Sequence, residues 1–429
     1  MHPKALLEAC AELVGQTLKL DHPADAVVSR YFRDQRKRLQ LGPRERATLA
    51  ETTYLVLRNK LRYDHFVPSG SGPRERRWAI LGLHDYLQPQ GQGDWLLAAL
   101  NETEKAWLAA CQQIKTEDLL ERHRHNLPEW LVTPLKAQLG EEFWPLVASL
   151  ERTAPLDLRV NALRAKRETV QAELKTAGLK ATPTPYSPWG LRVQGKPSLS
   201  SVDAFVRGDM EVQDEGSQLL SLLVDPKRGE MVVDFCAGAG GKTLALGAAM
   251  RSTGRLYAFD TSAHRLDAFK PRLARSGLSN VHPAAIAHER DDRIKRLVGK
   301  IDRVLVDAPC SGLGTLRRNP DLKWRQSPQS VVELTAKQTA ILASAARLLK
   351  AGGRLVYATC SVLPEENEAI AQAFTASHPG WTPVPVAELL DSLKVPQASS
   401  LCTADGLYLR LWPHRHGSDG FFASVWQAP

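Results

Sequence analysis

Two cysteines stand where sulfur can act as a nucleophile. Each follows an apolar, strand-like run: residues 303–307 lead into Asp307-Ala308-Pro309-Cys310-Ser311-Gly312, and residues 354–359 lead into Thr359-Cys360-Ser361. At the carboxyl edge of an open α/β sheet, both thiols should face the ligand cleft. A lone free cysteine is commonly inert packing. Two at equivalent strand ends, one beside the carboxyl of Asp307, point instead to covalent chemistry. The other four cysteines are Cys10, Cys111, Cys236 and Cys402, and no C-x-x-C pair occurs, so neither a zinc site nor a disulfide framework is expected.

A third segment, Asp234-Phe235-Cys236-Ala237-Gly238-Ala239-Gly240-Gly241-Lys242-Thr243, sits where a strand turns into a helix. Backbone donors and a helix N-terminus meet ligands at that place in a doubly wound fold. Glycines 238, 240 and 241 allow close approach, although a tight strand-to-helix connection would use them equally well. A phosphate-binding P-loop requires glycine at position 236, where Cys236 stands, and is excluded. Asp260 ends the next strand, suited either to accept hydrogen bonds from a ribose or to cap the helix beginning near Ser262. Nicotinamide and S-adenosylmethionine enzymes share this layout, and the paired strand-end thiols favour the second.

The elements that must hold these groups follow from the pattern along the chain. From Met231-Val232-Val233-Asp234-Phe235 onward, strands at 255–260, 303–307 and 354–359 alternate with helices, the last helix spanning about 330–349 before Gly352-Gly353. This is the rhythm of an open, mostly parallel sheet covered on both faces, a Rossmann-like α/β domain over 206–429. Residues 127–205 read as a small α+β module, with strands at 156–161 and 191–193 and a helix over 167–177. Residues 1–126 read as all-α, because helix formers dominate and apolar positions recur three and four apart, as in Leu49, Thr53, Val56 and Leu57. Within that part Gln35-Arg36-Lys37-Arg38 and Pro43-Arg44-Glu45-Arg46 concentrate positive charge, and the loop 68–73 punctuates two helical runs.

A length of 429 residues accommodates these three domains, since single cores stop growing near ~250–300 residues. A 43% hydrophobic and 24% charged composition excludes a disordered chain. The net charge of +9, from 56 Lys and Arg against 47 Asp and Glu, favours a polyanionic partner. No stretch reaches the ~18–20 apolar residues of a membrane helix, and the start, Met1-His2-Pro3-Lys4-Ala5-Leu6-Leu7, lacks the apolar core of a signal peptide, so a cytoplasmic protein without membrane contact is expected.

The D-A-P-C-S-G segment, A-T-C-S with the following Pro364-Glu365-Glu366-Asn367-Glu368, and Gln213-Asp214-Glu215-Gly216-Ser217 resemble the Nop/Sun family of RNA cytosine-5 methyltransferases. The likeness extends through Arg317-Arg318-Asn319-Pro320-Asp321-Leu322-Lys323-Trp324 and Pro155-Leu156-Asp157-Leu158-Arg159-Val160-Asn161, covering roughly 127–429. Residues 41–58 are similar to the NusB-like helical domain that precedes this core in bacterial members acting on small-subunit ribosomal RNA. The resemblance implies S-adenosyl-L-methionine as cofactor and RNA as partner, with ribosomal RNA favoured; no obligate protein partner is inferred. It implies that the 127–205 module contacts RNA, that Cys360 attacks the base and that Cys310 assists release. The implied cofactor contacts are Cys236, Ala237, Gly238, Ala239, Gly240, Gly241, Lys242, Asp260 and Asp307; no metal is implied. Two departures stand out: the family's Ala-Pro-Gly-Gly loop reads Gly238-Ala239-Gly240-Gly241 here, and Ala287 falls where an adenine-contacting Asp is usual.

The chemistry itself explains these residue types. Carbon 5 of cytosine is a poor nucleophile until a thiolate adds to carbon 6 and makes the ring an enamine. Nitrogen 3 gains negative charge in that step, and Asp307, if protonated, can supply a proton there. A stacked cytosine hides both carbons, so a single-stranded or flipped-out base is expected. The Cys360 thiolate needs a neighbouring cation, for which Lys323 and Arg318 are candidates, and Trp324 offers a face for base stacking. Methylation of tRNA, an RNA-binding scaffold with weakened catalysis, and a nicotinamide-dependent oxidoreductase are the competing readings.

Overall fold

The computed structural model describes residues 1–36 and 38–429; Lys37, from the first basic run, lies outside the described residues. Two compact units emerge, one of Met1–Thr153 with Leu316–Pro328 and one of Ala154–Thr315 with Gln329–Pro429. Among the described residues, no helix is long and apolar enough to cross a membrane.

The first unit is helical, with its longest helices at Pro3–Thr17, Pro43–Arg58, Arg74–Leu87 and Glu102–Gln113. Leu49, Thr53, Val56 and Leu57 are all buried, as their spacing on one helical face requires. Gly82 brings two of these helices together: a Cβ there would stand 2.7 Å from Val56 Cγ2. The helix at 102–113 starts with a capping box, in which Asn101 Oδ1 accepts from Glu104 N at 2.9 Å and Glu104 Oε2 accepts from Asn101 N at 3.0 Å.

Leu316–Pro328 follows Cys310 closely in sequence yet serves the helical unit. Trp324 Nε1 donates to Leu57 O at 2.7 Å and Lys323 Nζ donates to Arg58 O at 2.8 Å, while Arg58 Nη2 donates to Arg317 O at 2.7 Å. The last carbonyls of the Pro43–Arg58 helix, which have no partner within their own helix, are thereby satisfied. Lys323 is only 5% exposed. Burial, then the Arg58 charge, pushes its ammonium down from an ordinary 10.5 to about 7.

That depression has a defined sign. Between pH 7 and 10.5 the unfolded chain holds a proton at this position that the folded chain has released, so this group makes stability rise with pH through the window. Below pH 7 both states are charged and the full cost of burial is present. We expect Lys323→Met to lack this slope. Its stability relative to wild type should be greatest at or below pH 7 and fall toward pH 10, measured by parallel denaturant titrations; parallel curves across that range would contradict the assignment.

The second unit holds two sheets. The smaller is antiparallel, built from β1 (Leu156–Val160), β2 (Ala181–Pro183), β3 (Gly190–Val193) and β4 (Met210–Val212) in the order β2-β3-β1-β4. Val170 and Leu174 of the Arg167–Thr176 helix pack with Leu158, Val160 and Leu191 in its core. The larger sheet comprises β5 (Met231–Asp234), β6 (Arg255–Asp260), β7 (Val281–Ala285), β8 (Ile301–Asp307), β9 (Leu349–Thr359), β10 (Thr382–Pro383), β11 (Leu409–Leu411) and β12 (Phe421–Gln427). Its order is β10-β12-β9-β8-β5-β6-β7, with β11 added on β12. The β9-β8-β5-β6-β7 stretch is parallel and the β10 to β12 pairings are antiparallel.

Side chains alternate across the parallel strands. Val232, Leu305 and Val356 enter one core, and Val233, Val304, Val306 and Leu355 enter the other, as a sheet covered on both faces demands. Strand β9 begins at Leu349, earlier than its sequence suggests, and runs through Gly352 and Gly353 with a register shift opposite Ile301 and Arg303. Gly352 has φ +69°, a backbone state open to glycine, and so absorbs the irregularity without breaking the strand.

Candidate active site

Strand register decides what meets at the carboxyl edge. Asp234 pairs with Leu305 and Ala258, and Asp307 pairs with Ala358, so β5, β6, β8 and β9 end nearly level. Their loops surround a cavity of about 1020 Å³. Cys236, Ala237, Gly238, Ala239, Gly241, Lys242, Asp260, Asp307, Cys310 and Cys360 all line it. Gly240 does not. It caps the N-terminus of the following helix at φ +79°, and a Cβ there would fall 2.0 Å from the Phe269 ring, so its role is to let that ring approach.

The glycine loop is held at several backbone atoms. Asp260 Oδ2 accepts from Gly238 N at 2.8 Å and Asp260 Oδ1 accepts from Ser262 N at 2.7 Å. The cap of the next helix is Ser262, whose side chain accepts from Arg265 N, and not Asp260. Arg272 Nη1 donates to Ala239 O, and Arg159 Nη1, reaching from β1, donates to Gly241 O, each at 2.6 Å. Arg159 is buried, and burial pushes its guanidinium down to about 10. These two arginines anchor the carbonyls around the position where the family carries proline. Sequence patterning does not reveal them, because they come from a different sheet and a later helix.

Beneath the loop, Asp234 Oδ2 accepts from Thr243 Oγ1 at 2.7 Å, while Oδ1 has no partner among the described residues. Burial raises its carboxyl to about 7, against the opposing Thr243 hydrogen bond. The Cys236 thiol is pushed well up, first by burial and then by the Asp234 charge, and is poorly suited to act as a nucleophile.

The candidate reactive groups lie across the cavity. Cys310 Sγ and Cys360 Sγ are 3.4 Å apart, and Lys242 Nζ donates to Asp307 Oδ2 at 2.7 Å. Burial opposes the Lys242 charge, but Asp307 and, more weakly, Cys360 outweigh it, so the ammonium is held above its ordinary range. Lys242 is therefore a cation close enough to interact with the Cys360 sulfur. The candidates drawn from sequence, Lys323 and Arg318, belong to the helical unit, and the Lys323 ammonium and Trp324 indole N–H are committed to helix carbonyls there. The Cys310 thiol is raised well above the usual range by its hydrogen bond to Cys360 first and by burial second. It keeps its proton beside the Cys360 sulfur.

Two glycines close the back of the site. Gly314 N donates to Cys360 O and Gly420 N donates to Gly314 O, both at 2.8 Å. A Cβ on Gly314 would lie 2.1 Å from Gly420 O, so side chains are excluded where these backbones cross. Ala287, His288 and Glu289 also line the cavity, and Ala287 N donates to Asp291 Oδ2 at 3.0 Å. Asp291 is thus turned to the loop backbone. Among the described residues, no group of three or more His, Cys, Asp or Glu side chains is placed to hold a metal ion.

The chain is similar to known proteins. The sequence model of the 16S rRNA methyltransferase RsmB/F family matches residues 221–427, and that of the ferredoxin-like domain of RsmF/B-like methyltransferases matches 127–200. A probable ribosomal RNA small subunit methyltransferase B of Synechocystis sp. is 36% identical over 304 residues, 70% of this chain and 66% of that protein. Ribosomal RNA small subunit methyltransferase B of Pseudomonas syringae pv. tomato is 33% identical over 347 residues, 80% of this chain and 74% of its own length. The crystal structure of PH0851 superposes with a TM-score of 0.78 at 27% identity, covering 99% of both chains. With two family models matching in tandem and a relative 33% identical over 74% of its own length, the chain belongs to the RsmB/F family of S-adenosylmethionine-dependent RNA methyltransferases.

Proposed function

We propose that this chain methylates carbon 5 of a cytosine in ribosomal RNA through a transient bond between Cys360 and carbon 6 of the base. The observation that carries this reading is the 3.4 Å approach of the Cys310 and Cys360 sulfurs in the wall of the cofactor cavity. A methyltransferase acting on a more nucleophilic atom has no use for two apposed thiols.

The residues present fit S-adenosylmethionine. Position 238 opens onto free space, since a Cβ there would meet nothing within 4 Å, so a ligand can reach the loop backbone. Asp260 spends one lone pair of each oxygen on the loop and keeps the others for ribose hydroxyls. When bound, this cofactor supplies an activated methyl group. The small antiparallel module and the surplus of positive charge serve RNA binding, and the target base leaves its stack to enter the cavity.

The Cys360 sulfur adds to carbon 6, opposite a Cys310 thiol that retains its proton. As electron density moves toward nitrogen 3, a proton must arrive there. Asp307 stands paired with the Lys242 ammonium, so the proton comes from that pair, with the carboxylate as relay. Carbon 5, now enamine-like, takes the methyl group. Loss of the carbon 5 proton to a base, with return of the nitrogen 3 proton to the Asp307–Lys242 pair, then restores the aromatic ring as the Cys360–carbon 6 bond breaks, with Cys310 placed to assist release of the Cys360 sulfur.

Bisulfite sequencing after incubation with 16S rRNA, with bulk tRNA in parallel, tests the substrate: protected cytosine should appear in the ribosomal RNA. Protection confined to tRNA would reassign the substrate, and none in either would end the cytosine-5 reading. Cys310→Ala should accumulate an enzyme–RNA adduct on a denaturing gel when cofactor is present, and Cys360→Ala should form none. The reverse pattern would give the nucleophile role to Cys310. Asp307→Asn and Lys242→Met should each lower kcat by about 10²–10⁴-fold, and the double variant should be scarcely slower than either, because the pair acts as a unit. Fully additive losses would separate their roles.

A further inference from the structure

One carboxylate touches both cysteine loops without reaching the cavity. Glu366, in the turn Pro364–Glu366, is fully buried. Its Oε1 accepts from Ser311 N at 2.8 Å and from Gln338 Nε2 at 3.0 Å. Its Oε2 accepts from Ser311 Oγ at 2.5 Å and from Ser361 Oγ. Ser311 is the residue after Cys310, and Ser361 is the residue after Cys360. Gln338 also donates to Pro309 O at 3.0 Å, immediately before Cys310, and Asn367 Nδ2 donates to Ser361 O at 3.1 Å.

A buried carboxylate is costly unless its oxygens are met by donors. Here all four donors come from hydroxyl and amide groups, and three of the four belong to the residues that follow the thiols. Burial alone does not call for that placement; a requirement to fix one loop against the other does. We propose that Glu366 is the positioning residue that holds the Cys310 and Cys360 loops in register and so sets the approach of the two sulfurs. Its negative charge also contributes to keeping the Cys310 thiol protonated, behind the larger effects of Cys360 and burial. The importance of this register for turnover rests on the reading of the two thiols as attacking and releasing groups.

The approach of the sulfurs can be read without the methylation reaction. Diamide oxidises two neighbouring thiols to a disulfide: each sulfur loses a proton and an electron, the S–S bond forms, and the diazene becomes a hydrazine. Peptide mapping of the Cys310–Cys360 disulfide over time reports how well the loops hold the sulfurs together. Glu366→Ala should slow this step about tenfold or more, and lower kcat by about 10²-fold while the KM for S-adenosylmethionine stays within about twofold, because misplacement by an ångström costs turnover and not cofactor binding. Glu366→Gln, whose amide nitrogen can still meet the serine hydroxyls, should recover most of both. If Glu366→Ala does not fold, the double variant Ser311→Ala/Ser361→Ala, which removes the two hydroxyl donors, carries the same expectation. Unchanged disulfide rates in a folded Glu366→Ala or in the serine double variant would overturn the proposal. Slowed disulfide formation in a protein that methylates no cytosine would leave the positioning role intact and remove the proposed function.

Discussion

Two sulfurs from segments fifty residues apart approach to 3.4 Å because β8 and β9 pair in parallel and end in step. Parallel pairing sends both chains out of the sheet at the same edge, and the pairing of Asp307 with Ala358 fixes where each departs. A slip of one residue along either strand would turn its side chains to the opposite face and carry a cysteine away from the cavity. Apolar packing on both faces guards against that slip, since Val304 and Val306 occupy one core while Leu305 occupies the other. The bulge at Gly352 lies at the far end of β9, where a change in spacing leaves the carboxyl edge undisturbed.

Around the edge, burial and ion pairing together set the charges of Lys242, Arg159 and Asp234. Lys242 is held cationic by Asp307, and Arg159 and Arg272 each give one donor to a loop carbonyl. Asp234 has one oxygen bonded and the other bare, and its carboxyl titrates near neutrality. Glu366 is satisfied entirely by neutral donors. The site thus combines an ammonium held charged by Asp307 with a buried Asp234 carboxyl that titrates near neutrality.

Much of this was legible in the sequence where it depended on neighbours along the chain. The turn after β5, Asp260 at the end of β6 and the two cysteine segments are local features, and the cavity collects them, apart from Gly240, which faces Phe269. What escaped depends on distant contacts. Arg159 lies in a different sheet from the loop it holds, and nothing in its own segment points to Gly241 O. Lys323 and Trp324 follow Cys310 so closely that adjacency suggested a shared site, yet their donors satisfy the C-terminal end of the Pro43–Arg58 helix. The role of Glu366 had a faint signal, the repetition of serine after each cysteine, but only the folded arrangement shows that both serines share one acceptor.

The excursion of Leu316–Pro328 makes the polypeptide pass between its two units three times, after Thr153, after Thr315 and after Pro328. No single cut in the gene therefore yields two self-sufficient halves. A fragment starting at Ala154 would keep Trp324 and Lys323 but lose the Leu57 and Arg58 carbonyls that receive them, leaving an indole and an ammonium stranded on a severed strap. The helical region is thus stitched into its neighbour rather than appended to it, and shuffling it between proteins would require carrying those thirteen residues along.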